Sequence, residues 1–109
     1  LVQVENQQGL DGIEDIAAVE GIDGVFIGPA DLHASLGYTG EIANPKVMPV
    51  IDEAIERIRR AGKAPGILTT AEDHARRHLS LGALFVAVGS DVGLLARGAE
   101  ALLAKFKGK

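Results

Sequence analysis

The chain has 109 residues, of which 47% are hydrophobic and 24% are charged, so it can bury the core of one domain. Its formal net charge is −4 and it has no concentrated basic cluster, which argues against a nucleic-acid partner. No apolar run approaches the roughly 20 residues of a membrane-spanning helix, so no membrane partner is expected. Without cysteine there is no disulfide framework, thiolate metal site or cysteine nucleophile, and the expected location is the cytoplasm.

Four short apolar runs alternate with helical patterns, an arrangement typical of βα units in a parallel sheet. The predicted strands span residues 1–4, 25–27, 64–68 and 84–88. Apolar residues at helical spacing predict helices over residues 9–19, 44–61, 71–81 and 92–106. The sequence therefore predicts an α/β fold.

Turn and capping residues set the predicted helix limits. Asn44 and Pro45 have the residue types of an N-cap and a first helical position, and Gly62 is expected to end that helix. Thr70 and Asp73 resemble a capping box for the helix that follows the third strand. Residues 29–45 are rich in glycine and proline, and we expect them to form a functional loop.

Two acidic residues stand where predicted strands end. Glu5 follows the first strand, and Asp31 follows the second strand after Gly28-Pro29-Ala30. Residues beyond the carboxyl ends of parallel strands converge on one edge of the sheet, where sites are built. Two carboxylates at that edge would suit Mg²⁺ or Mn²⁺. Alternatively, each acid only caps a helix or faces solvent.

Four blocks of sequence carry a resemblance to a known family. They are GIDGVFIGPADL at 21–32 with ASLG at 34–37, then AGKAPGIL at 61–68, LGALFVAVG at 81–89 and LLAR at 94–97. Together they resemble the HpcH/HpaI family of class II pyruvate aldolases. The resemblance implies a TIM (β/α)₈ barrel, which takes about 250 residues. We therefore expect residues 1–109 to be the carboxyl-terminal half of such a barrel, with the amino-terminal half absent.

The resemblance also implies a reaction. Glu5 and Asp31 would hold a divalent cation, Mg²⁺, Mn²⁺ or Co²⁺, that acts as a Lewis acid. The implied activity is retro-aldol cleavage of a 4-hydroxy-2-oxo acid to pyruvate and an aldehyde through a metal-stabilised pyruvate enolate. The family's catalytic histidine and arginine belong to the amino-terminal half, so no catalytic residue is expected here and the isolated chain is expected to be inactive. A homo-oligomer is implied as well, since relatives form hexamers.

Substrate contacts are implied beside the metal ligands. The resemblance assigns the Gln3 amide, the Ala30 backbone N–H and Asp31 to the 2-oxo acid, and Leu68 and Ser90 to the pocket wall. Relatives carry apolar residues at both wall positions, so Ser90 implies a roomier or more polar pocket. A structural hydrogen bond to a neighbouring strand is the alternative role for Gln3.

The three histidines are not expected to bind metal. His33 stands in the predicted loop, where we expect it to line or shield the site entrance. His74 and His78 have the i, i+4 spacing of a zinc pair, but no third ligand is near them in sequence. We expect their helix face to be solvated or to form an interface.

Two other functions stay open. A citramalyl-CoA or malyl-CoA lyase-like relative would carry the same pair of acids, although the block around Asp31 is more similar to the aldolase branch. A non-catalytic half-barrel assembly module is the alternative from another class, because a half barrel leaves sheet edges and an apolar interior to be covered.

Overall fold

The protein is described by a computed structural model, which covers residues 1–108. Four parallel strands form one sheet in the order β1-β2-β3-β4. Their bounds are β1 Val2–Val4, β2 Gly24–Ile27, β3 Ala64–Leu68 and β4 Phe85–Ala87. The helices are α1 Gln7–Asp11, α2 Ile13–Ala17, α3 Pro29–Ser35, α4 Met48–Arg60, α5 Glu72–Ser80 and α6 Asp91–Lys107. The α/β fold with a parallel sheet is confirmed, and each predicted strand end is correct to within one residue.

One face of the sheet carries the core. Val25, Ile27 and Ile67 point to this face and are fully buried, as are Ile51 and Ile55 of α4, which packs on β2 and β3. Helix α4 buries every third or fourth residue because its apolar side chains recur at helical spacing. Where α4 contacts α2, the Arg57 guanidinium donates to the Glu14 carboxylate at 2.7 Å and lowers the pKa of Glu14 to about 2.

The opposite face of the sheet is open. The strand register places Gln3, Phe26, Gly66 and Phe85 in one row across it. The rings of Phe26 and Phe85 meet over Gly66, with their centroids 5.8 Å apart and their planes at 56°, and Phe85 remains half exposed. A row of polar, aromatic and glycine residues therefore faces away from the helices that cover the core.

The structure differs from the predicted helices in three places. The predicted loop at 29–45 begins with a helix, α3, because Pro29 takes its first turn after the extended Gly28. The next helix is assigned from Met48, after a turn at residues 45–47, but Asn44 makes the hydrogen bonds expected of an N-cap: its side chain accepts the Lys46 N–H at 2.8 Å and its carbonyl accepts the Met48 N–H at 3.0 Å. The helix predicted over 9–19 is interrupted at Gly12.

The capping box predicted at Thr70 and Asp73 is wrong. Helix α5 begins at Glu72 with Ala71 as its N-cap, and no side-chain hydrogen bond caps it. The end of α4 is as predicted: Gly62 has a φ of +81°, and its N–H donates to the Arg59 carbonyl at 2.9 Å.

The last helix, α6, packs little against the rest of the chain. None of its residues is buried, and Leu95, Leu102 and Phe106 of its predicted apolar stripe are more than half exposed. Among residues 1–108, no helix has the length and apolar content that a bilayer crossing requires. An exposed stripe of this size is unusual for a helix that makes no further contacts.

We predict that Gly66→Ala destabilises the chain by about 1–3 kcal/mol, the usual cost of overpacking. An added Cβ would lie 2.9 Å from Phe26 Cδ2 and 3.1 Å from the Phe85 carbonyl oxygen, and the latter belongs to a paired strand. Urea unfolding followed by circular dichroism measures the effect. The matched control is Gly98→Ala in α6, where an added Cβ meets open space and should stabilise the helix by up to about 1 kcal/mol. Equal urea midpoints for Gly66→Ala and the wild type would contradict the prediction.

Candidate functional site

Gln3 and Glu5 lie together over Gly28 at the carboxyl edge of the sheet. The Gly28 N–H donates to the Val4 carbonyl at 3.0 Å, so the β1–β2 ladder continues one step past the strand and brings Gly28 beside Glu5. A methyl group on Gly28 would lie 2.5 Å from Gln3 Nε2 and 3.3 Å from Glu5 Oε2. Glycine leaves room for both side chains in these positions, and a methyl group would push aside the end of the exposed Gln3 side chain; the structure brings these two predicted site residues together.

Asp31 reaches the same edge from the neighbouring strand. It stands in the first turn of α3, three residues after Gly28, and the Gly28 carbonyl accepts the Leu32 N–H at 2.9 Å. Leu32 is fully buried and anchors this turn, whereas Ala30 and Asp31 are exposed. Glu5 is half-buried. The carboxyl edge of β1 and β2 thus presents two acids, one amide and the start of a helix.

The donor set at this edge is small. Among residues 1–108, no group of three or more histidine, aspartate or glutamate side chains is placed to hold a metal ion. A cation here would take two protein carboxylates, from Glu5 and Asp31, and would keep its other positions for water or a ligand. Oxygen donors of this kind fit Mg²⁺, Mn²⁺ or Co²⁺ better than a soft cation.

His33 holds the turn that carries Asp31. Its ring is fully buried in α3, with Nδ1 2.7 Å from the Pro29 carbonyl, and its Nε2 accepts the Asn44 N–H at 3.0 Å. Because a backbone N–H donates to Nε2, the proton of the neutral ring sits on Nδ1 and is donated to Pro29. The expectation that His33 lines the site entrance is wrong, since the ring is buried, with Nδ1 bonded within α3 and Nε2 tying α3 to the segment before α4.

Leu68 and Ala30 border a common cavity of about 220 Å³ at the carboxyl ends of β2 and β3. The cavity extends between α4 and α5, past Met48 and Ile51. Leu68 is 40% exposed, so it forms part of the rim rather than of the core.

Ser90 stands apart from the other predicted site residues. It follows β4, is exposed, and its hydroxyl accepts the Gly93 N–H at 3.1 Å as the N-cap of α6. It does not line the cavity that Ala30 and Leu68 share. The structure thus gives Ser90 a helix-capping role, and its place in a pocket wall stays a prediction.

His78 is buried, contrary to the expectation of a solvated or interface face. Its residue is 1% exposed, and neither ring nitrogen has a hydrogen-bond partner. Nε2 lies 3.9 Å from Oδ1 of Asp52, which is also unpartnered, while Arg77 donates to the other oxygen of Asp52 at 2.6 Å. Desolvation lowers the pKa of His78, although the Asp52 carboxylate acts in the opposite direction.

Sequence reasoning missed this histidine although a signal was present. Ala71, Ala75 and His78 recur at spacings of four and three, so His78 shares the helix face of the buried Ala75. His74 is one turn back, is about one-third exposed, and lines the same cavity.

The chain is similar to known proteins over nearly its full length. The HpcH/HpaI aldolase/citrate lyase family matches residues 1–98. The chain is 58% identical over 106 residues to a 4-hydroxy-2-oxo-heptane-1,7-dioate aldolase of Klebsiella pneumoniae, covering 97% of this chain and 40% of the relative. It is 57% identical over 108 residues to a hydroxypyruvate/pyruvate aldolase of Pseudomonas aeruginosa, covering 99% of this chain and 40% of the relative.

A solved structure supports the same relationship. An HpcH/HpaI aldolase/citrate lyase family protein from Burkholderia cenocepacia superposes with a TM-score of 0.88 at 36% identity, covering 97% of this chain and 42% of that protein. The chain spans about 40% of the length of the curated relatives that it matches.

We predict that the free energy of unfolding falls as the pH falls below about 6.5, the unperturbed pKa of histidine. The pKa of His78 is lowered in the native state, so below pH 6.5 the unfolded chain binds a proton that the native chain excludes. The stabilisation is complete above that pH and is lost on acidification towards the native pKa. Urea unfolding between pH 5 and 7.5 measures it.

The variant His78→Leu should show a shallower loss of stability on acidification than the wild type. His74→Gln, in which the more exposed histidine is changed, is the control and should keep the wild-type slope. Equal slopes for the wild type and His78→Leu would contradict the assignment of this pH dependence to His78.

Proposed function

Since the chain belongs to the HpcH/HpaI aldolase/citrate lyase family, we propose that it forms the metal-bearing half of a class II pyruvate aldolase. The proposed reaction is retro-aldol cleavage of a 4-hydroxy-2-oxo acid to pyruvate and an aldehyde. The names of the relatives at 57–58% identity support this reaction class. In this proposal, residues 1–109 are one half-barrel unit that corresponds to the carboxyl-terminal half of the (β/α)₈ barrel.

One observation carries the proposal: Gln3 and Glu5 crowd over Gly28, and Asp31 follows in the turn attached to the same glycine. Neighbouring strands thus supply two carboxylates and an amide at one edge. We assign Glu5 and Asp31 as the ligands of a divalent cation, Mg²⁺, Mn²⁺ or Co²⁺. Two carboxylates offset the charge of the dication, so it retains the electrophilicity that further acids would weaken.

The bound cation would supply a Lewis acid that polarises the 2-oxo group. The chain's own residues orient the substrate against it. Gln3 places an amide beside Glu5, where it can hydrogen-bond a substrate oxygen. Ala30 is the second residue of α3, and the first N–H groups of a helix have no acceptor within it, so its N–H is available to the carboxylate of the 2-oxo acid.

The pocket wall is assigned to the next strands. Leu68 stands at the end of β3, opposite Ala87 of β4 in the strand register, and it would limit the space for the aldehyde part of the substrate. Ser90 is assigned to the same wall beyond β4, where its capping bond to Gly93 fixes the position of the hydroxyl.

Proton transfer is assigned to groups outside residues 1–108. His33 is the histidine nearest to Asp31 in sequence, and both its ring nitrogens are held by backbone groups, so it is not free to accept a substrate proton. Arg97 lies in α6, where it pairs with Glu100 at 3.2 Å. A general base and a cationic side chain from the rest of the barrel complete the site in this proposal.

We also assign this protein to the cytoplasm and to a homo-oligomer. The absence of cysteine is in keeping with a reducing compartment. The exposed leucines of α6 and the half-exposed Phe85 on the open face of the sheet offer apolar surface for other copies or for the remaining half of the barrel.

The open face also favours a second candidate, a non-catalytic assembly module. Such a module would use the row of Phe26, Gly66 and Phe85 as a surface to pair with another half barrel. It would need neither carboxylate at the edge of the sheet, so metal binding separates the two candidates.

We predict that the chain binds Mn²⁺ and that Glu5→Gln and Asp31→Asn each weaken this binding by about tenfold or more. Loss of an outer-shell group alone typically costs about 10- to 100-fold, and a lost ligand should cost at least as much. Electron paramagnetic resonance of free Mn²⁺, with circular dichroism to verify the fold, measures the affinity. Asp15→Asn, an exposed acid on α2, is the matched control. Unchanged Mn²⁺ affinity in both site variants would reject the metal assignment.

We further predict that the 109-residue chain with Mn²⁺ releases no appreciable pyruvate from a 4-hydroxy-2-oxo acid. A general base and an electrostatic group are each worth about 10²-fold or more, and the proposal assigns both to other residues. A coupled assay for pyruvate is the measurement, with an intact family member as the positive control. In the complete enzyme, Asp31→Ala should abolish metal-dependent pyruvate release. Turnover by the isolated chain at the rate of the intact enzyme would show that the missing groups are misassigned.

A further inference from the structure

The Ser35 hydroxyl joins the end of α3 to the start of α1. It accepts the Gln7 N–H at 3.2 Å, although the two residues are 28 positions apart in the chain. Gln7 is the first residue of α1, and the first N–H groups of a helix have no acceptor within it. The Asn6 side chain accepts the Gly9 N–H at 2.7 Å, so it caps a different group. Helix α1 is therefore capped in part by a residue of another helix.

This bond closes a frame around the two proposed metal ligands. The second tie in the frame is the hydrogen bond from the Gly28 N–H to the Val4 carbonyl at 3.0 Å. Glu5 follows Val4 directly and precedes the residues that start α1. Asp31 lies in the chain between Gly28 and Ser35. Each acid thus stands on a segment that is tied to the other segment on both sides of the acid.

The same bond indicates which face of α3 is turned towards Glu5. Asp31 and Ser35 are four residues apart in α3, so their side chains lie on one face of the helix, one turn apart. Because Ser35 contacts the N–H of Gln7, two residues after Glu5, this face lies towards the connection between β1 and α1. Leu32 of the same helix is fully buried, which limits rotation of α3 about its axis.

The backbone, rather than side-chain packing, sets the separation of the two carboxylates. Glu5 is half-buried and Asp31 is exposed, so neither side chain is fixed by the core. A cation such as Mg²⁺ demands ligand oxygens at about 2.0–2.1 Å, so its affinity depends on how closely the two segments are held together. Without the Ser35 hydroxyl, the Gln7 N–H would bond to water, and the start of α1 would be free to move away from α3.

We propose that Ser35 is a positioning residue for the metal site, and that its hydroxyl holds the segment after Glu5 at a fixed distance from Asp31. This inference rests on the proposed function, because it takes Glu5 and Asp31 as the ligands of the cation. The role of Ser35 is exerted through the backbone of Gln7 and needs no contact with the cation or the substrate.

Variants of Ser35 test this role through the Mn²⁺ affinity of the 109-residue chain, measured by electron paramagnetic resonance of free Mn²⁺. Ser35→Ala should weaken binding about three- to fivefold, the equilibrium effect of one hydrogen bond. Ser35→Thr keeps a hydroxyl and should restore the wild-type affinity. Ser80→Ala is the matched control, because Ser80 is also the exposed last residue of its helix and its hydroxyl donates to Arg77 of the same helix.

Urea unfolding without metal separates positioning from a merely structural role, which would lower the urea midpoint of Ser35→Ala but leave Mn²⁺ binding by the folded chain unchanged. The wild type gives a second test that needs no variant. Because linkage is reciprocal, saturating Mg²⁺ should slow the exchange of the Gln7 amide proton with solvent, measured by ¹⁵N NMR.

Three results would each overturn the inference: unchanged Mn²⁺ affinity in Ser35→Ala, an equal loss of affinity in Ser35→Thr or Ser80→Ala, or unchanged Gln7 exchange at saturating Mg²⁺. The proposed function is tested separately, because Glu5→Gln and Asp31→Asn should weaken Mn²⁺ binding whether or not Ser35 has this role.

Discussion

The missing side chain at Gly28 is the constraint on which the rest of this edge depends. The parallel ladder of β1 and β2 continues to Gly28, and this places it directly beside Glu5. A Cβ at that position would lie 2.5 Å from the end of the exposed Gln3 side chain, which would have to move away from Glu5. The same residue must also be extended, since Pro29 starts a helix immediately after it. Glycine thus keeps the Gln3 amide beside Glu5, while its extended backbone, with φ −97° and ψ 94°, is open to any residue.

The helix that follows is short, and its position is set by buried contacts at two points. Leu32 is inserted into the core, and His33 bonds to the backbone of Pro29 and Asn44 from inside the fold. Between them these two residues fix the first turn of α3 and the chain that returns towards α4. The exposed Asp31 is therefore carried on a rigid support, although seven residues of helix would be marginal in isolation.

The two sides of the sheet have different physical roles. The side towards α4 is a closed apolar core, while the other side leaves the pair of Phe26 and Phe85 uncovered. Helix α6 adds further exposed apolar surface at one end of the molecule. Such a distribution is what a unit needs when its open face is completed by other protein, and it agrees with a chain that spans about 40% of its relatives.

The sequence by itself determined the parallel α/β fold, the four strands and the pair of acids after β1 and β2. These follow from local periodicity and from the rule that parallel strands end at the same edge, so they need no knowledge of distant contacts. The residues at which helices begin were harder to predict. Asn44 makes the capping hydrogen bond to the Lys46 N–H that its residue type predicts, yet regular helix begins only at Met48 after a turn, and residue type does not decide how tightly that first turn is wound.

Only the tertiary structure decided the roles of the histidines. Sequence reasoning placed His33 at the site entrance and His78 on a solvated or interface face, but both residues are buried. His33 is buried because two backbone groups from separate segments meet its ring, and their meeting depends on how α3 and the chain before α4 fold together. His78 is buried because α5 packs its Ala75 face inward, which leaves the ring beside Asp52 of α4 without a direct hydrogen bond. The spacing from Ala75 was a local signal that His78 lies on an inward face, whereas the burial of His33 depends on a partner segment that no local pattern identifies.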